Sequence, residues 1–204
     1  MSLEELLKKY QDNCDVKAYT DIVEQSCAEN RELVLGTIDE DSSDLIDMMI
    51  RFWNRLDEVS FIEVSKRVPI KLYIDSPGGE IEATLTIIDT IKLSKTPVYT
   101  IAMGSAHSGG LDVLISGHKR FSYPNATMMF HEGSIKTNMS DANKFANFAS
   151  FYRKILNRFR DMFIAKTNIS EEWYKEHQND DVWMFPEEAL TYGIIDQIIT
   201  EFII

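Results

Sequence analysis

A serine set among small residues is the first candidate for chemistry in this 204-residue chain. It is Ser108, in the stretch Gly104-Ser105-Ala106-His107-Ser108-Gly109-Gly110. Before it, the apolar and partly alternating segment Pro97 to Met103 predicts a buried strand. After it, Leu111 to Ser116 predicts a short helix closed by Gly117. A serine at a strand-to-helix turn faces an incoming carbonyl and sits at the positive end of a helix dipole. Gly109 and Gly110 let a substrate approach the backbone and leave N–H groups for an oxyanion. The same small residues also suit a plain tight turn, and this spacing is looser than a full nucleophile-elbow pattern.

Four histidines could serve as the base: His107, His118, His131 and His177. His107 adjoins the serine, but neighbours at such a turn point apart. His118 falls in a polar turn and His177 in a charged helical segment. His131 ends an apolar strand and is the best placed to be held rigidly. Asp180 and Asp181 precede an apolar pair, where one carboxylate could orient His131 and stabilise its protonated form.

The elements that must carry these groups alternate. Leu33 to Gly36 reads as a short buried strand. The acidic run Asp39 to Asp44 caps and charges the next helix, whose apolar positions are Leu45, Ile46, Met49, Ile50, Trp53 and Leu56. Val68 to Asp75 is a strand broken by Ser76-Pro77-Gly78-Gly79, and Ile81 to Leu93 is a helix. Strand, helix, strand, helix argues for parallel βαβ units, whose strand C-termini gather their loops at one edge. The Ser76 to Gly79 loop then lies beside Ser108. Lys119 to Tyr123 and Thr127 to Phe130 are short strands. Ser140 to Ile164 is the longest helix, with a seam of Phe145, Phe148, Tyr152, Ile155, Phe159 and Met162. Its apolar surface exceeds one face and implies a second chain as cover. Ser170 to Gln178 and Pro186 to Gly193 are short helices. Residues 1–30 are weakly patterned, with helices expected near Ser2 and from Ala18 to Glu29, and read as a mobile or oligomer-contacting arm.

Composition excludes several classes. Net charge is −12 and no basic stripe occurs, which argues against nucleic acid. No apolar run approaches membrane-spanning length, and no signal-peptide pattern opens the chain. Cys14 and Cys27 match no metal or redox spacing, so reduced thiols in the cytoplasm are expected.

Four segments jointly resemble the Clp protease proteolytic subunit family. They are Tyr73-Ile74-Asp75-Ser76-Pro77-Gly78-Gly79, the Gly104 to Gly110 stretch, Pro124-Asn125-Ala126-Thr127-Met128-Met129-Phe130-His131, and Glu187 to Asp196. The resemblance runs over about residues 31 to 199. It implies an α/β fold of the crotonase-like β/α spiral type, with a protruding handle helix at about 140–164. It implies an N-terminal arm (1–30) and one peptidase domain (31–204). By position, Ser108 is the nucleophile, His131 the general base and Asp181, adjacent to Asp180, the third member. Gly79 and Gly109 supply the oxyanion hole. No metal or cofactor is implied. The partners implied are an unfolded polypeptide substrate, identical subunits in heptameric rings that can stack in pairs, and an AAA+ unfoldase.

The chain also departs from the family pattern. Gly109 stands where a bulky residue is usual and His107 where alanine is usual. The Gly117 to Tyr123 loop is short. Glu132-Gly133-Ser134-Ile135-Lys136 replaces a glycine-rich, substrate-pairing strand. Asp112 replaces an apolar residue, and Lys71 an aromatic of the ATPase-docking pocket, while Tyr73 is kept. The reading is a self-compartmentalising serine endopeptidase. The alternatives are a non-proteolytic ring subunit, a phage head-maturation protease acting on a scaffold, and an acyl-CoA enzyme or Ser-Lys peptidase of the same fold.

Overall fold

The computed structural model describes residues 25–133 and 141–201. The expected helix near Ser2, and most of that from Ala18, lie outside the described residues, as does Ser134 to Lys136; residues 25–29 are helical.

Alternating apolar side chains build a parallel sheet. Its strands are β1 (Glu32–Leu35), β2 (Ile70–Ser76), β3 (Val98–His107), β4 (Lys119–Ser122), β5 (Thr127–Phe130), β6 (Val182–Met184) and β7 (Gln197–Ile198). The order is β1-β2-β3-β4-β7, and all of these pairs are parallel. The sheet forks at β3. The first half of β3 pairs with β4, Tyr99 opposite Lys119 through Ala102 opposite Ser122. Its second half pairs with β5, Ser105 opposite Thr127 through His107 opposite Met129. β6 then adds antiparallel to β5.

Strand β3 runs four residues past the expected Met103, although Gly104-Ser105-Ala106 carry no strand signal. A side chain explains this. The Asp75 carboxylate accepts from the Ser105 N–H and from Ser105 Oγ, both at 2.8 Å. It fills the space beside Gly104, where a Cβ would come within 2.5 Å of Asp75 Oδ1. The β2–β3 register shifts here, so that Ser76 faces Ala106.

The helices are α1 (Glu40–Val59), α2 (Ile81–Leu93), α3 (Gly109–Ser116), α4 (Ala142–Lys166), α5 (Glu171–His177) and α6 (Pro186–Thr191). Asp39 and Ser42 form a reciprocal capping box that starts α1, as the acidic run predicts. α2 packs against α1 and α3, and α3 packs on β2 and β3. The inward line of α1 is Ile46, Ile50, Trp53 and Asp57. Leu45 and Leu56, expected on the buried face, are instead exposed together with Met48 and Phe52. Ile46 and Ile50 already cover the core side of α1, and the 3.6-residue period carries Leu45 and Leu56 outward.

α4 begins at Ala142 because the Asp141 side chain caps it, accepting from the Lys144 N–H. Its buried residues are Tyr152, Leu156, Met162 and Phe163. The line therefore passes through Leu156 rather than the expected Ile155. Phe145 and Phe151 are exposed, and residues 142–147 are exposed throughout, so the helix projects from the body at its start. Arg120 ties its far end down. It donates to the Lys166 carbonyl at 2.7 Å and the Gly193 carbonyl at 2.8 Å, and pairs with Asp196. No described helix is long and apolar enough to cross a membrane.

Candidate active site

The fork at β3 brings the expected site residues together. β3 ends at His107 and α3 begins at Gly109, so Ser108 is the whole turn between them. Its backbone is held at φ 53°, ψ −124°. A non-glycine residue there costs of order 1–3 kcal/mol and must be imposed by its surroundings. The Ser108 N–H donates to the Met129 carbonyl at 2.9 Å, and the Ser108 carbonyl accepts from Leu111 at 2.9 Å. One side of the turn is thus pinned to β5 and the other to α3.

His131 is the first residue after β5, and its Nε2 lies 2.6 Å from Ser108 Oγ. The strand partner of Phe130 is Val182, so antiparallel pairing carries Asp181 opposite His131. Asp181 Oδ1 is 3.3 Å from His131 Nδ1. Register therefore separates two adjacent aspartates that look alike in sequence. Asp181 is 61% exposed and the contact is long, so it meets the imidazole from the solvent side.

The other histidines are engaged elsewhere. His107 Nε2 contacts Thr127 Oγ1 at 2.9 Å, and its ring meets Trp183 edge-on. Burial lowers its pKa, with Asp75 opposing. His118 Nδ1 accepts from the Val98 N–H at 3.0 Å. His177 stacks on Trp173.

The Ser76 to Gly79 loop does meet Ser108. A Cβ on Gly78, whose φ is +95°, would sit 2.8 Å from Ser108 Cβ and 3.1 Å from the Gly109 nitrogen. A Cβ on Gly79 would strike the Ile38 carbonyl oxygen at 1.9 Å. The loop is clipped to that segment, with Ile38 N–H donating to Gly78 O and Glu80 N–H donating to Ile38 O. These bonds bypass the Gly79 N–H, and the first-turn position of Gly109 frees its N–H as well. Among the described residues neither N–H has an acceptor. Donors flanking a serine in this way can stabilise charge developing on a carbonyl oxygen.

A cavity opens beside the serine. It is lined by Gly79, Thr84, Ser108, Gly109, Phe130 and His131, together with Asp112, Glu132, Leu156, Phe159, Phe163 and Tyr174. Sequence reasoning missed two supports. One is Asp75, which shapes β3. The other is Arg153 on α4, which donates to Glu132 at 2.7 Å and ties the residue after His131 to that helix. An isolated charge in sequence carries no sign of either contact.

The family model for Clp protease matches residues 21–202. The chain is 32% identical to the ATP-dependent Clp protease proteolytic subunit 2 of Treponema pallidum over 177 residues, 86% of this chain and 85% of that one. It is 38% identical to the ATP-dependent Clp protease proteolytic subunit of Deinococcus radiodurans over 136 residues, 65% of each. A strained serine beside a histidine, on a forked parallel sheet with a projecting helix, thus coincides with sequence similarity over nearly the whole chain: it belongs to the Clp protease family.

Proposed function

We propose that the chain is a serine endopeptidase that cleaves unfolded polypeptides with Ser108 as nucleophile. The observation that carries this is the 2.6 Å contact between Ser108 Oγ and His131 Nε2, at a turn whose backbone is strained to present the hydroxyl. His131 takes the Ser108 proton as Oγ attacks the peptide carbonyl, then returns it to the leaving amine. The acyl-enzyme is hydrolysed by water activated through the same imidazole. The N–H groups of Gly79 and Gly109 bind the oxyanion, each worth about 10²–10³ in rate at comparable sites. Asp181 holds the imidazole tautomer. The mechanism calls on no metal or cofactor.

The enzyme works as a ring of identical subunits in the cytoplasm, fed by an AAA+ unfoldase. The names of the two relatives, both proteolytic subunits of an ATP-dependent protease, support this reading. So does the exposed apolar line of Leu45, Met48, Phe52 and Leu56 along α1, which a neighbouring subunit would cover. Residues 1–30 form an arm to one peptidase domain.

Labelling with a fluorophosphonate probe, resolved by size-exclusion chromatography, tests the assignment. Wild type is labelled in a large assembly and Ser108→Ala is not. Absence of label in an assembled wild-type sample would point to the non-proteolytic ring subunit, against which the close Ser108–His131 pair argues.

A further inference from the structure

The cavity beside Ser108 holds a carboxylate with no partner among the described residues. Asp112 lies one turn along α3 from the serine, and its N–H donates to the Ser108 carbonyl at 3.2 Å. Residues four apart on a helix share a face, and their Cα–Cβ bonds tilt toward the N-terminus. The Asp112 side chain therefore belongs to the same cavity as Ser108 and Gly109. Its other walls include Phe130, Leu156, Phe159 and Phe163, all apolar. Among the described residues no hydrogen bond or ion pair satisfies its carboxylate. No lysine or arginine lines the cavity, and the second carboxylate there, Glu132, is already paired with Arg153.

Burial pushes the Asp112 carboxyl up to about 8. Burial, followed by the negative charges of Glu132 and Asp112, also pushes the Tyr174 phenol above its usual range. The pocket is thus lined by apolar side chains together with an acid that holds its proton until a cation draws it off. Asp112 is partly open to the cavity, so a group entering the cavity can reach its carboxyl. A cation delivered from outside supplies a partner.

We propose that Asp112 makes this cavity the receptor for a cationic side chain, lysine or arginine, at the substrate residue that donates the acyl group to Ser108. The proposal rests on the peptidase reading above and names its substrate class. The reach is right. One helical turn, about 5.4 Å, separates the serine from the aspartate, and a four-carbon lysine stem spans a comparable length. The bore is right as well. The open volume is about 40 Å³, room for roughly three waters. A slim methylene chain displaces these waters along the apolar walls while its charged end meets Asp112. The chain's net charge of −12 favours approach of basic segments in the same sense.

The test uses four fluorogenic peptides, identical except for lysine, arginine, norleucine or leucine on the acyl side of the scissile bond. Norleucine keeps the lysine stem and removes the charge. Wild type is expected to favour lysine or arginine over norleucine by about 10–100-fold in kcat/KM. Asp112→Leu reverses the order, and Asp112→Asn levels it. Equal or faster cleavage after norleucine by wild type, or an unchanged ratio in both variants, would overturn the proposal.

A second measurement needs no turnover. n-Butylammonium raises the Tm of the whole protein, n-butanol does not, and Asp112→Asn abolishes the shift. No butylammonium effect on wild type would also overturn the cation site. Failure of fluorophosphonate labelling, by contrast, sinks the peptidase reading and leaves butylammonium to judge the site alone.

Discussion

Two aspartates in this molecule face opposite circumstances. Asp57, on α1, has a side chain with no exposed surface. Arg31 grips it with two hydrogen bonds, at 2.6 and 2.8 Å, and Thr96 Oγ1 donates at 2.7 Å. The hydrogen bonds from Arg31 hold its carboxyl below the usual range, against the cost of burial. Asp112, on α3, has no partner among the described residues, and burial alone drives it up. The chain supplies a cation and a hydroxyl where a carboxylate ties α1 to the segments that lead into β1 and β3. It supplies none where the carboxylate opens into the cavity of the nucleophile. A buried charge satisfied from within stabilises the fold, whereas one left unsatisfied destabilises it and awaits a ligand.

The contrast is broken most sharply at the serine itself. Ser108→Ala lowers peptide hydrolysis by about 10³–10⁶-fold and leaves the thermal midpoint nearly unchanged, measured by kinetics and calorimetry on one sample. A large fall in Tm would mean that the strained turn belongs to the scaffold rather than to the chemistry. Asp57→Ala does the reverse. It leaves Arg31 and Thr96 without their acceptor and destabilises by about 3–5 kcal/mol, read from chemical denaturation, while the Ser108–His131 geometry is untouched.

The sequence made some of this legible and hid the rest. Period-2 alternation located β2, and the helical period located α2, because both are set by local apolar spacing. Small residues around Ser108 marked the turn. What stayed hidden depends on partners far along the chain. The last residues of β3 are polar or small and stay extended because the Asp75 side chain bonds Ser105. β6 is three residues long and exists through its pairing with β5, which also selects Asp181 over Asp180. The inward face of α1 missed Leu45 and Leu56, since periodicity does not say which side of a broad apolar surface meets the core. Asp112 stood out only as an unusual residue for its position. Its enclosure by Phe130, Phe163 and Tyr174 requires the fold.

The next effect is smaller because Asp181 stands in solvent. Asp181→Asn lowers kcat by roughly 10²-fold, less than the loss for Ser108→Ala, since an exposed carboxylate at 3.3 Å holds the imidazole weakly. The pH–rate profile is the check. A loss as large as that for Ser108→Ala would mean that Asp181 becomes buried when substrate or a neighbouring subunit arrives.

The smallest effect sharpens the comparison through pH. Asp57 is depressed, so its contribution is present above the ordinary carboxylate range, about 4, and fades as pH falls through its lowered folded value. Asp112 has the opposite sign. Between its unfolded value of 3.8 and its folded value of about 8, the folded state binds the proton and the unfolded state does not. Stability therefore falls as pH rises across that window and levels off above it. Asp112→Asn removes the Asp112 contribution and leaves the other groups lining the cavity in place. Asp112→Asn should accordingly match wild type near pH 4 and exceed it by a growing margin in Tm as pH rises to about 9. Calorimetry across that range decides. A gain independent of pH would mean that asparagine simply packs better. A loss at pH 9 would mean that the Asp112 carboxylate has a stabilising partner in the folded protein.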